Sequence, residues 1–220
     1  MAGDLGSYAY GAFAHNEDEL ARLEKQASIF QEMEKQMLLA SGLAGHMRVL
    51  DLACGPGNIT RLIAGLLTTG TVVGADANPA LLARAAAETT GDEAQKITYV
   101  QADAHQLAFP ADAFDFVYER FLFQHVSRPA AILTAIKRVL APGGILLVVD
   151  VDDDWSSLHP EPAHFKTFLA LAAEGQAARG GDRRVGRKLV GYDAVRALGR
   201  PEKSIGMGGQ PAPFLVKQRQ

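Results

Sequence analysis

The chain has 220 residues, with 22 Lys and Arg against 25 Asp and Glu and a formal net charge of -3 at pH 7. That balance gives no basic footprint for nucleic acid, while 48% hydrophobic and 21% charged residues fit a globular chain with room for one α/β domain. No apolar run approaches the ~20 residues of a membrane-spanning helix, the first residues lack a secretory signal pattern, and the single Cys54 cannot form an intrachain disulfide, so a cytoplasmic protein is expected.

Residues 1–15 are glycine-rich and aromatic, with Tyr8, Tyr10 and Phe13 and no clear period. Asn16 and Glu19 form a capping pair, and Leu20, Leu23, Ala27, Phe30, Met33 and Met37 follow at spacings of three and four. These predict one apolar stripe on a helix ending near Gly42. Such a helix can fold over a site as a lid or pack on a sheet.

A short strand, Arg48 to Leu52, then runs into Ala53-Cys54-Gly55-Pro56-Gly57-Asn58, and Ile59, Leu62, Ile63, Leu66 and Leu67 mark a helix directly after it. Strand, glycine loop and helix N-terminus read as a small-molecule cradle at the carboxyl end of a sheet strand. Cys54 in that loop reads as a small buried hydrophobe and not a nucleophile.

Thr71 to Asp76 is a second strand ending in an acid, and Asn78 with Pro79 opens a helix closed by Gly91. Ile97 to Gln101 is a third strand running into Ala102-Asp103-Ala104, and Phe114 to Tyr118 a fourth, ending at Glu119-Arg120. A helix from about Pro129 to Leu140 precedes Pro142-Gly143-Gly144 and an apolar fifth strand, Ile145 to Val149. Strands alternating with helices in this way predict a doubly wound, Rossmann-like parallel sheet with right-handed crossovers. Ala163 to Ala178 can be helical, and beyond Val190 only Phe214-Leu215-Val216 has any strand character. The fifth strand would then lie at the sheet edge, where unpaired backbone groups invite association, a homodimer included.

Three carboxylates fall in or just after strands, where open parallel sheets bind ligands. Asp76 follows Gly57 by 19 positions (76 minus 57), the distance at which an acid reaches ribose hydroxyls. Asp103 can accept from an exocyclic amine while the Ala104 N–H meets a ring nitrogen. Asp51 can pair with an ammonium group. Each acid alone is an ordinary cap or turn former; together on one rim they indicate a nucleoside site. His125 is the candidate base or substrate contact, or else a packed histidine. Asp150, Asp152, Asp153 and Asp154 read as a solvated loop and not a magnesium site, and His159 and His164 form no zinc pattern. Arg183, Arg184, Arg187 and Lys188 either contact an acidic substrate or form a solvated patch. A dinucleotide reading is weaker because Thr60 occupies the place of the third glycine.

Val49 to Gly57 resembles motif I of the class I S-adenosylmethionine-dependent methyltransferases. The similarity continues through Gly74 to Asn78, Gln101 to Ala104, Phe114 to Val117 and Leu140 to Gly144, closest to the small-molecule branch around the ubiquinone/menaquinone-biosynthesis enzymes. The resemblance implies S-adenosylmethionine as cofactor, with Gly55 and Gly57 against its methionine portion, Asp76 and Ala77 at its ribose, Asp103 and Ala104 at its adenine, and Arg120 lining the pocket. It also implies that Tyr8, Tyr10 and Arg22 belong to a segment covering the cofactor, and that a small organic acceptor is methylated by in-line displacement. Its expected divisions are 1–42 as N-terminal segment and lid, 43–189 as methyltransferase core, and 190–220 as an atypical tail. The alternatives are a methyltransferase-like domain that binds without turnover and an NAD-dependent oxidoreductase. After Leu189 the resemblance stops, which predicts a truncated or frame-shifted C-terminus, missing final strands and a five-stranded sheet.

Overall fold

The computed structural model describes residues 16–198, 201–202 and 213–218. A long helix α1 (Asn16–Ala40) leads into β1 (Arg48–Leu52), α2 (Asn58–Leu66), β2 (Thr71–Asp76), α3 (Pro79–Glu88), β3 (Ile97–Gln101), β4 (Phe114–Arg120), α4 (Pro129–Val139) and β5 (Leu140–Val149). Helices α5 (Phe165–Ala177), α6 (Val185–Leu189) and α7 (Asp193–Leu198) follow, then β6 (Pro201–Glu202) and β7 (Pro213–Lys217). The strands form one sheet in the order β3-β2-β1-β4-β5-β7-β6. The first five run parallel; β7 is antiparallel to β5 and β6 antiparallel to β7.

The central strands alternate side chains between two helical layers, so both faces are dry, as parallel sheets require. On one face Val49, Val72, Phe116, Tyr118 and Leu147 pack with Leu38 of α1 and Ile59, Ile63 and Ala64 of α2. On the other, Leu50, Leu52, Val117, Leu146 and Val148 pack with Ile132, Leu133, Ile136 and Val139 of α4. Asn78 caps α3 as its position ahead of Pro79 predicts: its Oδ1 accepts from Ala80 N at 2.9 Å and Leu81 N at 3.3 Å. Asp51 lies opposite Gly74 and Tyr118, and Leu52 opposite Ala75 and Glu119. Strand ends at that register bring the first-strand loop, Asp76 and Arg120 to one rim.

Three expectations are corrected. The sheet does not end at β5: Ile145 to Val149 pair with Lys217 to Pro213, so the final strands are present and the central part of β5 is not an edge. Val195 and Leu198 of α7 and Val216 of β7 are fully buried in the α4-side core. A five-residue strand and a six-residue helix carry too little periodicity to announce themselves; docking on β5 and α4 makes them ordered. The Pro142-Gly143-Gly144 stretch lies inside β5, where the register jumps from Phe114↔Leu140 to Phe116↔Ile145 and absorbs it as an irregularity. Finally, the buried face of α1 contains an acid, Glu34, between Leu20 and Leu38. By contrast α5 buries no side chain, and its Phe168 and Leu171 are 65% and 63% exposed. Among the described residues no helix is long and apolar enough to cross a membrane.

Candidate functional site

The two loop glycines do different things. Gly55 (φ 55°) has nothing within 4 Å of where a Cβ would stand, so its backbone borders open space. Gly57 (φ 78°), the N-cap of α2, has the Tyr99 hydroxyl and, at 2.8 Å, the Ala85 Cβ against that position. It lets α2, α3 and β3 close on one another and does not line the cavity. Both positive φ values are ones that side-chain-bearing residues avoid.

Asp76 ties this loop to the second crossover. Its Oδ2 accepts from Gly55 N at 2.9 Å and its Oδ1 from Asn78 N at 2.8 Å. Burial raises its pKa while those N–H groups pull it back, and each oxygen keeps a lone pair for a further donor. Beneath the loop, buried Asp51 accepts from Thr60 Oγ1 at 2.5 Å. Burial pushes its pKa up to about 7, against the Thr60 bond, with Asp76 and Glu34 adding repulsion. Thr60 therefore fills the third-glycine place with a hydroxyl that serves Asp51. Burial, reinforced by Asp51 and Asp76, holds the Cys54 thiol far above its usual range, which makes it inert.

One cavity of about 610 Å³ runs along this rim, a size typical of small-molecule sites. Asp51, Gly55, Asp76, Ala77, Ala104, Arg120, His125 and Arg22 all line it. Asp103 does not. Its carboxylate, 41% exposed, accepts from His105 N at 2.8 Å and lies 3.0 Å from His105 Nδ1. Tyr8 and Tyr10 lie outside the described residues. Arg120 is 13% exposed, its buried Nε has no hydrogen-bond partner, and its guanidinium sits 4.8 Å from the Phe121 ring centroid. Glu34 of α1 stands 3.9 Å from Arg120 and accepts from the Tyr118 hydroxyl. Burial raises the Glu34 pKa and Arg120 lowers it.

At the other end the chain turns through 121–125, where Phe121 has φ 62°. Two buried acids strap this turn: Glu119 accepts from Leu122 N, and Asp150 from Gln124 N at 3.1 Å and Val151 N at 2.7 Å. Burial and the Asp150 charge raise Glu119 well above the carboxylate range, and burial pushes Asp150 to about 7. His125 goes the other way, down to about 4, through burial and the nearby Arg183 and Arg22. The ring is neutral at pH 7.

Three acids of the run after β5 pair with the three arginines of the later basic run. Asp152 pairs with Arg187 at 2.6 Å, Asp153 with Arg183, and Asp154 with Arg184 at 2.8 Å. Among the described residues no group of three or more His, Cys, Asp or Glu side chains gathers for a metal ion. Sequence reasoning missed Glu34, Thr60 and Glu119 as parts of this region. Thr60, in its glycine position, and Glu119, an acid at a strand end, left sequence traces.

With the site in view, comparison with known proteins is decisive for the core. Residues 50–148 match the family described as a methyltransferase domain. The matched stretch runs from β1 to β5 and contains the ends of β1, β2, β3 and β4. The chain is 38% identical over 125 residues to the ubiquinone/menaquinone biosynthesis C-methyltransferase UbiE of Proteus mirabilis, covering 56% of this chain and 49% of that protein. To the enzyme of the same name from Pseudomonas aeruginosa it is 37% identical over 139 residues, covering 62% and 54%. The chain thus spans about half the length of the curated relatives it matches. An S-adenosylmethionine-dependent methyltransferase from Aquifex aeolicus superposes with a TM-score of 0.59 at 19% identity, over 84% of this chain and 88% of that one. One from Mesorhizobium loti does so at 0.58 and 23%, over 84% and 96%. At those identities the likeness establishes the fold alone.

Proposed function

We propose that the chain transfers a methyl group from S-adenosylmethionine to a small organic acceptor. The observation that carries this reading is the clamp of Gly55 N–H on Asp76 beside an open Cβ direction at Gly55: an acid and a bare backbone share one wall of the cavity. The residues fit that cofactor. Asp76 and Ala77 would take the ribose, Ala102 and Ala104 would face the adenine, and Asp51 would receive the methionine ammonium. Arg120, whose buried Nε lacks a hydrogen-bond partner, would lie along the methionine tail. The turn of Asp103 onto His105 supports assigning the adenine wall to the backbone and not to that carboxylate. Arg22 and Leu23 of α1 line the same cavity, which supports reading the N-terminal helix as the cover.

When bound, the cofactor supplies an activated methyl on a sulfonium centre. The protein's task is alignment of the acceptor nucleophile and exclusion of water, together worth up to about 7–11 kcal/mol in the best-oriented cases. Leu122, Gln124, His125 and Val126 face the acceptor end of the cavity. A pKa of about 4 makes His125 a weak proton acceptor, so its role here is to orient the acceptor.

Calorimetry tests this reading. An ammonium placed against Asp51, whose pKa in the free protein is about 7, favours the carboxylate, so cofactor binding at pH 7 should release a fraction of a proton. The measured enthalpy should then vary with the ionisation enthalpy of the buffer, and Asp51→Asn should abolish most of that variation. Asp76→Ala should weaken binding by about 1–3 kcal/mol. Tight binding of NAD with none of S-adenosylmethionine overturns the proposal.

A further inference from the structure

The acceptor end of the cavity holds a cluster that cofactor binding does not use. Arg183, in the turn between α5 and α6, lies on the cavity wall and is held from two directions. Its Nε and one terminal nitrogen donate to the buried Asp153, the second at 3.0 Å, and its other terminal nitrogen donates to Gln176 Oε1 at 3.3 Å. Gln176 in turn donates from Nε2 to the Gln124 carbonyl at 2.6 Å and stands 3.5 Å from His125 Nδ1. One connected array therefore joins α5, the loop after β5 and the 121–125 turn. A guanidinium carries five N–H donors. The bonds to Asp153 and Gln176 use three of them and leave donors on both terminal nitrogens.

The charged side chains on the wall outside the cofactor acids include two arginines, each paired with an acid behind it. Arg183 and, from α1, Arg22 face the cavity, while their counter-ions Asp153 and Glu19 are not on its wall. The acids that do line it, Asp51 and Asp76, stand at the cofactor end. Leu122, Val126 and Val151 supply apolar wall between. A braced guanidinium in an apolar setting matches a carboxylate better than a neutral carbonyl, because charge-assisted and forked hydrogen bonds are the stronger ones.

We propose that this end takes an acceptor bearing a carboxylate, received by Arg183, with Arg22 on the same cavity wall, and that Asp153 and Gln176 are positioning residues for that guanidinium. The proposal rests on methyl transfer being the activity of the other end. Asp153 fixes the plane of the guanidinium. Gln176 ties it to the turn that carries His125, so that carboxylate and imidazole meet the acceptor in one geometry.

The test titrates benzoate and benzamide, an anion and its near-isosteric neutral amide, into the protein saturated with S-adenosylhomocysteine. Benzoate should bind at least about tenfold more tightly, the advantage of one charge-assisted hydrogen bond. Arg183→Met should remove that preference while leaving the affinity for S-adenosylhomocysteine within about twofold. Arg183→Lys should keep part of the preference, and Gln176→Leu should reduce it without abolishing it. Equal affinities for benzoate and benzamide in the unaltered protein overturn the proposal, whatever the variants do, and so does undiminished benzoate binding by a folded Arg183→Met. Failure of the unaltered protein to bind S-adenosylhomocysteine counts instead against the methyl-transfer reading.

Discussion

Alanine at Gly57 and at Gly55 should separate two jobs that one motif performs two residues apart. Both positions have positive φ, 78° and 55°, and a side chain there costs about 1–2 kcal/mol. At Gly57 a Cβ would also meet the Ala85 Cβ at 2.8 Å and the Tyr99 hydroxyl. The tyrosine tip is held by Thr89 at 3.0 Å, and Ala85, fully buried on α3, cannot swing away. Overpacking of that kind adds about 1–3 kcal/mol. Gly57→Ala should therefore lose about 2–5 kcal/mol in total, a large share of an ordinary domain's 5–15. Gly55→Ala, with nothing within 4 Å, should lose only the backbone part. In urea, with a slope of about 3 kcal/mol per molar, the midpoints should fall by roughly 1 M and by about half a molar or less. Ligand affinity should rank the other way: Gly55→Ala projects a methyl into the cavity and should weaken S-adenosylhomocysteine binding by at least about tenfold. Equal stability losses, or a Gly57→Ala as mild as Gly55→Ala, would refute this assignment of one glycine to packing and the other to the ligand.

Stability should also depend on pH with a sign set by the buried groups. Asp51 and Asp150 have folded pKa values of about 7 against an ordinary 3.8. The folded state holds those protons more tightly, so their stabilisation is complete below about pH 4 and is lost as pH rises through about 7. His125, at about 4 against 6.5, runs oppositely: the unfolded chain protonates first, and stability falls as pH drops from about 6.5 toward 4. Asp51→Asn should flatten the loss of urea midpoint on raising pH across this window, and His125→Gln should steepen it; an unchanged slope in Asp51→Asn removes the buried-acid account. Val216, fully buried on β7, should cost about 2 kcal/mol on replacement by alanine, or about 4–8 °C in melting temperature. An unaltered melt would show that the last strand does not support β5.

The first five strands were legible because each is a short run rich in apolar, β-branched and aromatic residues, followed closely by glycine, proline or an acid. Asn78 with Pro79 is a start signal whose physics lies within four residues, and the distance from Gly57 to Asp76 is set by one helix and one strand. The misread parts lack that locality. Glu34 breaks the apolar stripe of α1 and is buried because Tyr118 and Arg120 meet it from β4. Gly57 looked like a ligand contact because its neighbours in space, Ala85 and Tyr99, are 28 and 42 positions away (85 minus 57 and 99 minus 57).

By itself, then, the sequence determined the α/β alternation, the cradle after β1, the acids at the strand ends and the similarity of residues 50–148 to methyltransferase domains. All of these are written in runs shorter than one strand-loop-helix unit, where periodicity, capping and backbone permissiveness act directly. Tertiary structure alone decided that Asp103 turns to His105, that Asp152, Asp153 and Asp154 pair with Arg187, Arg183 and Arg184, and that β7 pairs along β5. It also decided that Arg183 leaves the basic patch for the cavity wall. Which side chains meet there depends on how the helices dock on the sheet, and docking energy comes from surfaces assembled across the whole chain.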